Sequence, residues 1–160
     1  MTTPRTSRLD MRVEGARVSL TGRIDDSTSF AELVAQLPTG GVIIDTSGVT
    51  FVNSIGMREW IRLIRVLRDR GPITLERVAD VLMTQMNLIP EFATSVQISS
   101  FHAQYVCPSC GHESAPVVDV ATHAPTLREM KAPKLPCPEC GAAMDLGDFP
   151  ERYLSIFRNG

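Results

Sequence analysis

The chain has 160 residues, of which 43% are hydrophobic, and a formal net charge of −2 at pH 7. This length is enough for one full core and a small appendage, and the charge argues against a nucleic-acid-binding protein. The N-terminus contains no apolar signal segment, and no later apolar run approaches the roughly 18 residues that suggest a membrane span. These features predict a soluble protein of the cytoplasm.

The N-terminal third of the chain predicts a hairpin followed by a short helix. Residues 1–8 are polar, and we expect a flexible end there. Alternating polar and apolar residues at 9–13 and 16–20 flank Glu14 and Gly15, which is typical of a β-hairpin. Polar residues then precede an apolar pattern at 30–37 that stops at a proline and two glycines, as a short helix would.

The central part of the chain predicts a strand, a loop and a long helix. An apolar strand at 42–44 ends in an aspartate, and Ser47 with Gly48 predicts a turn before a second apolar step at 49–52. Asn53 and Ser54 then lie where a helix N-terminus needs a side-chain oxygen for its free backbone N–H groups.

The long helix is amphipathic. Its apolar residues follow the spacing i, i+3, i+4 and i+7, and three arginines lie on the opposite side. The apolar residues are Trp60, Leu63, Ile64 and Leu67, and the arginines are Arg58, Arg62 and Arg65. The arginines have two interpretations: a solvated helix face, or a surface that docks an acidic partner.

Three further elements complete the N-terminal unit. The pattern predicts a strand at 73–78, a helix at 79–86 and a final strand at 95–105. The resulting order β-β-α-β-α-β-α-β indicates an α/β fold in which helices pack on a mixed sheet. We therefore expect one domain over residues 9–104.

Two segments of this unit resemble a known family. The run IIDTSGVTFVNSIGM at 43–57 is similar to the central motif of STAS domains, the anti-sigma-factor-antagonist fold, in which a strand ending in Asp is followed by Ser-Gly-Val and then by Asp-Ser-Ser-Gly-Leu at a helix start. The run LTGRID at 20–25 resembles the family's strand Leu-x-Gly-x-Leu-Asp. The resemblance covers roughly residues 9–103, and it implies a STAS-like mixed sheet and a bacterial, non-enzymatic regulator that binds a protein partner.

The resemblance also implies where the partner docks. In the family, a partner kinase that doubles as an anti-sigma factor phosphorylates the serine just before the glycine, but that position is Ile55 here. Ser54 matches the preceding serine and Asn53 matches the aspartate, so we expect binding without the usual phosphoserine switch. For Ser54 itself, a helix-capping role competes with a phosphorylation site. The candidate partner-binding residues are Asp25, Asp45, Asn53, Ser54, Ile55, Gly56, Arg58 and Arg62.

The last third of the chain carries all four cysteines in two near-copies of one CPxCG unit. Cys107 and Cys110 form the first pair, and Cys137 and Cys140 form the second. Two thiolates two residues apart can hold one ion from a tight turn, and two such turns complete a tetrahedron. The pattern predicts a zinc ribbon over residues 105–160 with one structural Zn²⁺, in a reducing compartment.

Some features of this region have more than one interpretation. His112 and His123 are either alternative metal ligands or residues of a solvated loop. The tail at 148–157 spaces Phe149, Tyr153, Leu154 and Phe157 as one helical face that docks on the ribbon, on the first domain or on a partner.

Several function classes remain open at this point. The leading hypothesis is an anti-sigma-factor-antagonist-like regulator, and the alternative is a STAS adaptor subunit of a transport ATPase or of a larger signalling assembly. An enzyme is disfavoured because the sequence has no evident Ser/His/Asp set, phosphate-binding glycine loop or open metal site. Because the thiolates of the cysteine pairs can be oxidised with release of the metal, a redox or zinc-level sensor is a further alternative. The sequence leaves the oligomeric state, monomer or homodimer, open.

Overall fold

The computed structural model describes residues 9–158, so the expected flexible segment 1–8 lies outside the described residues. Within the described range the chain forms eleven strands, six helices and one 3₁₀ turn, and none of these helices has the length and apolarity of a membrane span. The strands are β1 (Asp10–Glu14), β2 (Arg17–Ile24), β3 (Val42–Val52), β4 (Ile73–Glu76), β5 (Gln97–Ile98), β6 (Ser100–His102), β7 (Tyr105–Val106), β8 (Glu113–Ser114), β9 (Val117–Asp119), β10 (Leu135–Pro136) and β11 (Ala143–Leu146). The helices are α1 (Ala31–Gln36), α2 (Ser54–Arg68), α3 (Asp80–Met86), α4 (Phe92–Ser95), α5 (Val120–Arg128) and α6 (Glu151–Leu154), and the 3₁₀ turn is Ser155–Phe157.

A five-stranded mixed sheet forms the N-terminal unit, which confirms the predicted α/β class. Its strand order is β1-β2-β3-β4-β5, with β1 antiparallel to β2 and the other neighbours parallel. Alternate residues of β2, namely Val18, Leu20 and Ile24, are fully buried, as the period of two along a half-covered strand requires. Helix α2 contacts β2, β3 and β4 and buries the apolar stripe that the sequence predicted, including Trp60.

The turn predicted at Ser47 and Gly48 is wrong, because β3 continues through both residues. Glycine at position 48 allows β3 to pack closely against β2, because a Cβ there would lie 2.7 Å from Thr21 Oγ1 and 3.1 Å from the Leu20 carbonyl oxygen. The register between β2 and β3 shifts between Ser19 and Thr21, so the irregularity is a bulge between paired strands.

The single strand predicted at 95–105 is also wrong. This segment begins with the last residue of α4 and then forms β5, β6 and β7, which belong to three different sheets. The change of partner occurs at Ser99, whose N–H donates to the Leu75 carbonyl in β4 while its own carbonyl accepts from Val120 at the start of α5. An apolar pattern of period two cannot show which sheet each piece joins.

The four cysteines lie in the turns β7–β8 and β10–β11 of a second, antiparallel sheet with the order β10-β11-β7-β8. The segment between the two cysteine pairs leaves this sheet: β9 pairs with β6, and α5 follows with Pro125 inside it. Asp119 caps α5 by accepting a 3.0 Å hydrogen bond from the Thr122 N–H, and Leu127 is fully buried. The two sheets and α5 therefore share one hydrophobic core.

The C-terminal tail packs on its own chain. Its predicted apolar face is partly wrong, because the side chain of Phe149 is 73% exposed whereas Ile156 is buried. Tyr153 and Leu154 are buried as expected, and the Ile156 N–H donates to Asn87 Oδ1 at 2.9 Å. Phe149 lies before the start of α6, outside its helical register, and the 3₁₀ turn at Ser155–Phe157 changes the register after α6, so that Ile156 is buried.

Candidate functional site

The four cysteine side chains converge on one point. Their sulfur atoms all lie within 4.8 Å of one another, with Cys107 Sγ 3.5 Å from Cys140 Sγ and Cys110 Sγ 3.6 Å from Cys137 Sγ. Four sulfur atoms at about 2.3 Å from a tetrahedral zinc ion would be about 3.8 Å apart. The group therefore has the ligand type and the dimensions that a four-thiolate metal site requires.

Each cysteine pair lies in a turn of the same construction. In the first, the Gly111 N–H donates to the Cys107 carbonyl at 2.9 Å, and Gly111 has φ +79°. In the second, the Gly141 N–H donates to the Cys137 carbonyl at 2.9 Å, and Gly141 has φ +78°. Only glycine adopts a left-handed backbone conformation without a steric penalty, which explains why the CPxCG unit ends in glycine.

Backbone N–H groups point at the buried cysteine of each pair. The Cys110 N–H lies 3.5 Å from Cys107 Sγ, and the Glu139 N–H lies 3.4 Å from Cys137 Sγ. The hydrogen bond from the Cys110 N–H favours the thiolate and lowers the pKa of Cys107 to about 7, although burial acts in the opposite direction. A thiolate is the form that ligates a metal.

The two histidines near the cysteines are not part of the group. Among the described residues, the ligand cluster consists of the four cysteines alone. His112 contributes its backbone carbonyl, which accepts from the Cys107 N–H at 2.8 Å, and His123 lies in α5. The interpretation of His112 and His123 as alternative ligands therefore gains no support from their positions.

The start of α2 has the predicted capping geometry. Asn53 Oδ1 accepts a 2.8 Å hydrogen bond from the Gly56 N–H, and the Asn53 carbonyl accepts from the Met57 N–H at 2.8 Å. The Asn53 N–H in turn donates to the Ile24 carbonyl at 3.2 Å, which ties the helix start to the end of β2. Thus Asn53, and not Ser54, provides the side-chain cap.

The residues that follow the cap face solvent. Ser54 is exposed, and the side chain of Ile55 is 45% exposed in the first turn of α2. Gly56 is buried against the backbone of Ile24 and Asp25. Together with the exposed arginines Arg58 and Arg62, Ser54 and Ile55 form what we call the helix-start surface.

Asp25 lies beside the helix-start surface but is turned inward. It is 8% exposed, and its carboxylate accepts hydrogen bonds from the Ser27 N–H at 2.9 Å and the Ser27 hydroxyl at 2.6 Å. These bonds, with a weaker one from Arg23 Nε at 3.3 Å, hold the pKa of Asp25 below its ordinary value. Asp25 therefore fixes the turn after β2.

Asp45 lies far from the start of α2. It precedes the end of β3 by seven residues, and an extended strand of that length spans about 20 Å. It is 5% exposed and accepts hydrogen bonds from the Ser47 N–H at 2.9 Å and from Arg77 Nε at 2.9 Å. Burial raises the pKa of Asp45, but the hydrogen bonds from Ser47 and Arg77 outweigh it, so the pKa lies below its ordinary value. No local sequence pattern indicates Arg77, because its partner is 32 residues away along the chain.

The three arginines of α2 that the sequence placed on its polar face differ in their surroundings, and the fourth arginine of the helix, Arg68, donates to Ser95 Oγ at 3.0 Å. Arg65 donates to both carboxylate oxygens of Glu91, at 2.7 and 3.1 Å, and this pairing lowers the pKa of Glu91. Arg62 donates to Glu59 at 2.9 Å on the same helix, and Arg58 is exposed at the end nearest Ile55. The cationic groups next to the helix start are therefore Arg58 and Arg62, whereas Arg65 joins α2 to the residue before α4.

Sequence similarity does not identify a family for this chain. No protein-family model matches it, and no curated protein shows significant similarity. The two candidate functional features of the described residues are the four-cysteine group and the helix-start surface.

Proposed function

We propose that this protein is a non-enzymatic regulator that binds a protein partner, similar to an anti-sigma factor antagonist of the STAS family and without its phosphoserine switch. The observation that carries the proposal is the exposed Ile55 in the first turn of α2, at the position where the family has its phosphorylated serine. The mixed sheet with β1 and β2 as a hairpin and packed helices is compatible with a STAS-like unit over residues 9–104. An apolar side chain there cannot accept a phosphate, but it can pack against a partner.

Docking would use the helix-start surface. Asn53 and Gly56 hold the first turn of α2 against the end of β2, so Ile55 is presented on a fixed backbone. Arg58 follows it one turn along α2 and is exposed, and Arg62, which is paired with Glu59, follows one turn later. These guanidinium groups favour a partner whose docking surface is acidic. A preorganised surface loses little conformational entropy on binding.

We further propose that the four cysteines bind one structural Zn²⁺ and that the C-terminal sheet is a zinc ribbon. Cys107, Cys110, Cys137 and Cys140 would supply four thiolates, and a closed tetrahedral shell has no position left for a substrate or a reactive water. The metal would stabilise the fold and would not catalyse a reaction, which fits a binding protein of the reducing cytoplasm.

The experiment is an affinity capture with the full chain from its native extract, read by mass spectrometry. The expected result is recovery of an ATPase-fold anti-sigma kinase that is lost with the double variant Arg58→Glu, Arg62→Glu. Arg12→Glu, which reverses an exposed charge on β1, is the matched control and should retain the partner. Equal recovery with all variants would refute docking at the helix-start surface.

The same experiment separates the alternatives. Recovery of a transport ATPase or a larger signalling assembly in place of the kinase would favour the adaptor role. Incubation of the full chain with the recovered kinase and ATP should leave its intact mass unchanged. A stoichiometric phosphate on Ser54 would overturn the absence of a phosphorylation switch.

A further inference from the structure

A cavity of about 290 Å³ lies where the free edge of the central sheet meets the segment between the cysteine pairs. Its lining residues belong to α4, β5, α5 and the 3₁₀ turn, and the cavity is partly open to solvent. The apolar lining consists mainly of Ala93, Val96, Ile98, Val120, Ala124 and Leu127. None of these elements belongs to the helix-start surface or to the cysteine group.

Two of the residues that line this cavity are polar, and both carry N–H donors. The side chains of Gln97 and Arg128 lie at its lining, and none of its described lining residues is acidic. Because the Ser99 N–H donates to Leu75 in β4, the backbone N–H of the preceding Ile98 faces the free edge of β5, on the side away from β4. A partly open, mainly apolar pocket with a guanidinium and further N–H donors is suited to a ligand with an apolar body and one anionic end.

The volume of the cavity limits the size of the ligand that it can hold. A volume of 290 Å³ is at the lower end of the range for small-molecule sites, roughly 300–1,000 Å³. It corresponds to roughly ten water volumes of about 30 Å³ each, so a ligand of about ten non-hydrogen atoms fills it. We propose that this cavity binds a small amphipathic carboxylate, with its aliphatic chain between α5 and β5 and its carboxylate on Arg128. The inference does not depend on the proposed function, because it uses different residues.

The test uses octanoate as the probe and the full-length chain with labelled methyl groups, followed by NMR. Saturable shifts are expected at the methyl groups of Ile98, Val120 and Leu127, which line the cavity. Octanamide, which has the same chain without the charge, should bind more weakly. Arg128→Gln should lower the affinity for octanoate by about tenfold to a hundredfold, the usual effect of losing a charged hydrogen bond, and should leave the affinity for octanamide unchanged.

Two variants test the apolar part of the site. Ala124→Leu fills the cavity from α5, and Ala93→Leu fills it from α4, so that one remains informative if the other does not fold. Either variant should lower the affinity for octanoate and for octanamide to a similar extent. The distant Arg62→Gln should change neither affinity. The proposal is overturned if octanoate gives no saturable shifts at these methyl groups, or if its affinity is the same in the wild type, Arg128→Gln and the filled variants.

Discussion

Gly56 lies where α2 begins against the end of β2, and its replacement by alanine has a calculable cost. An ideal Cβ at Gly56 would lie 2.0 Å from the Ile24 carbonyl oxygen, 2.4 Å from the Ile24 carbonyl carbon and 2.8 Å from the Asp25 nitrogen. Ordinary contact begins at 3.4 Å, so the helix start must move by about 1.4 Å (3.4 − 2.0). All three atoms belong to the backbone, so no side chain can rotate away.

The expected net effect is a loss of about 2 kcal/mol in unfolding free energy. Overpacking against a rigid neighbour costs up to about 3 kcal/mol, and the higher helix propensity of alanine offsets about 1 kcal/mol of that. The displacement would also lengthen the hydrogen bond from the Asn53 N–H to Ile24, which is 3.2 Å in the native chain. For a chain with a total stability of about 5–15 kcal/mol, this loss is readily measured.

The assay is urea unfolding followed by the fluorescence of Trp60, the single tryptophan, which is fully buried beside Phe30. Gly41→Ala is the matched control, because a Cβ there meets only Pro72 at 3.4 Å or more and its backbone is not left-handed. That variant should differ from the wild type by less than about 0.5 kcal/mol. The reasoning fails if Gly56→Ala is no less stable than Gly41→Ala.

Three further predictions concern the cap, the buried carboxylate and the metal. Asn53→Ala removes the acceptor for the Gly56 N–H and should cost about 1 kcal/mol in urea unfolding, whereas Ser54→Ala should cost less than about 0.5 kcal/mol. The pKa of Asp45 is lower in the folded chain than in the unfolded chain, so its ionised carboxylate stabilises the fold above the unfolded pKa of about 3.9. This stabilisation is lost as the pH falls through the folded pKa. Unfolding curves at decreasing pH should therefore show a smaller loss of stability for Asp45→Asn than for the wild type. Chelation of the zinc-loaded chain should lower Tm by about 10 °C, and Cys107→Ser, which lacks one thiolate, should show little response to the chelator in the same calorimetric scans.

Local patterns predicted the elements that local interactions determine. The hairpin of β1 and β2 follows from two alternating segments around a glycine with φ +63° at Gly15. Helix α2 follows from its amphipathic spacing and from Asn53, whose side chain can reach an N–H only three residues away. Likewise, the repeated CPxCG spacing predicted the cysteine group, because each turn is formed by adjacent residues.

Features that depend on distant residues were not predictable in the same way. Gly48 suggests a turn when only its neighbours are known, but the reason for a glycine is the closeness of Thr21 in another strand. Helix α5 contains Pro125, which argues against a helix locally, yet the Asp119 cap and the burial of Leu127 stabilise it. The inward position of Asp45 depends on Arg77, which no pattern in the sequence connects to it.

The segment between the cysteine pairs, residues 111–136, bears on how the metal site forms. A flexible loop of these 26 residues (136 − 111 + 1) would cost roughly 3 kcal/mol in entropy to close. Val118 and Leu127 are buried in the shared core, and each contributes about 1.5–3 kcal/mol. The Tyr105 hydroxyl also donates to the Pro133 carbonyl at 2.8 Å where the segment returns.

These contacts are made by protein groups alone, and they act against the entropy of closing the loop. We therefore expect the two cysteine turns to be held near each other before any ion binds, with the thiolates preorganised for the proposed metal. The chain would then differ from small zinc modules, which are unfolded without their metal. Chelation should therefore lower Tm while Trp60 remains buried at 25 °C, and a shift of its emission to that of the unfolded chain would show instead that the metal is needed to close the core.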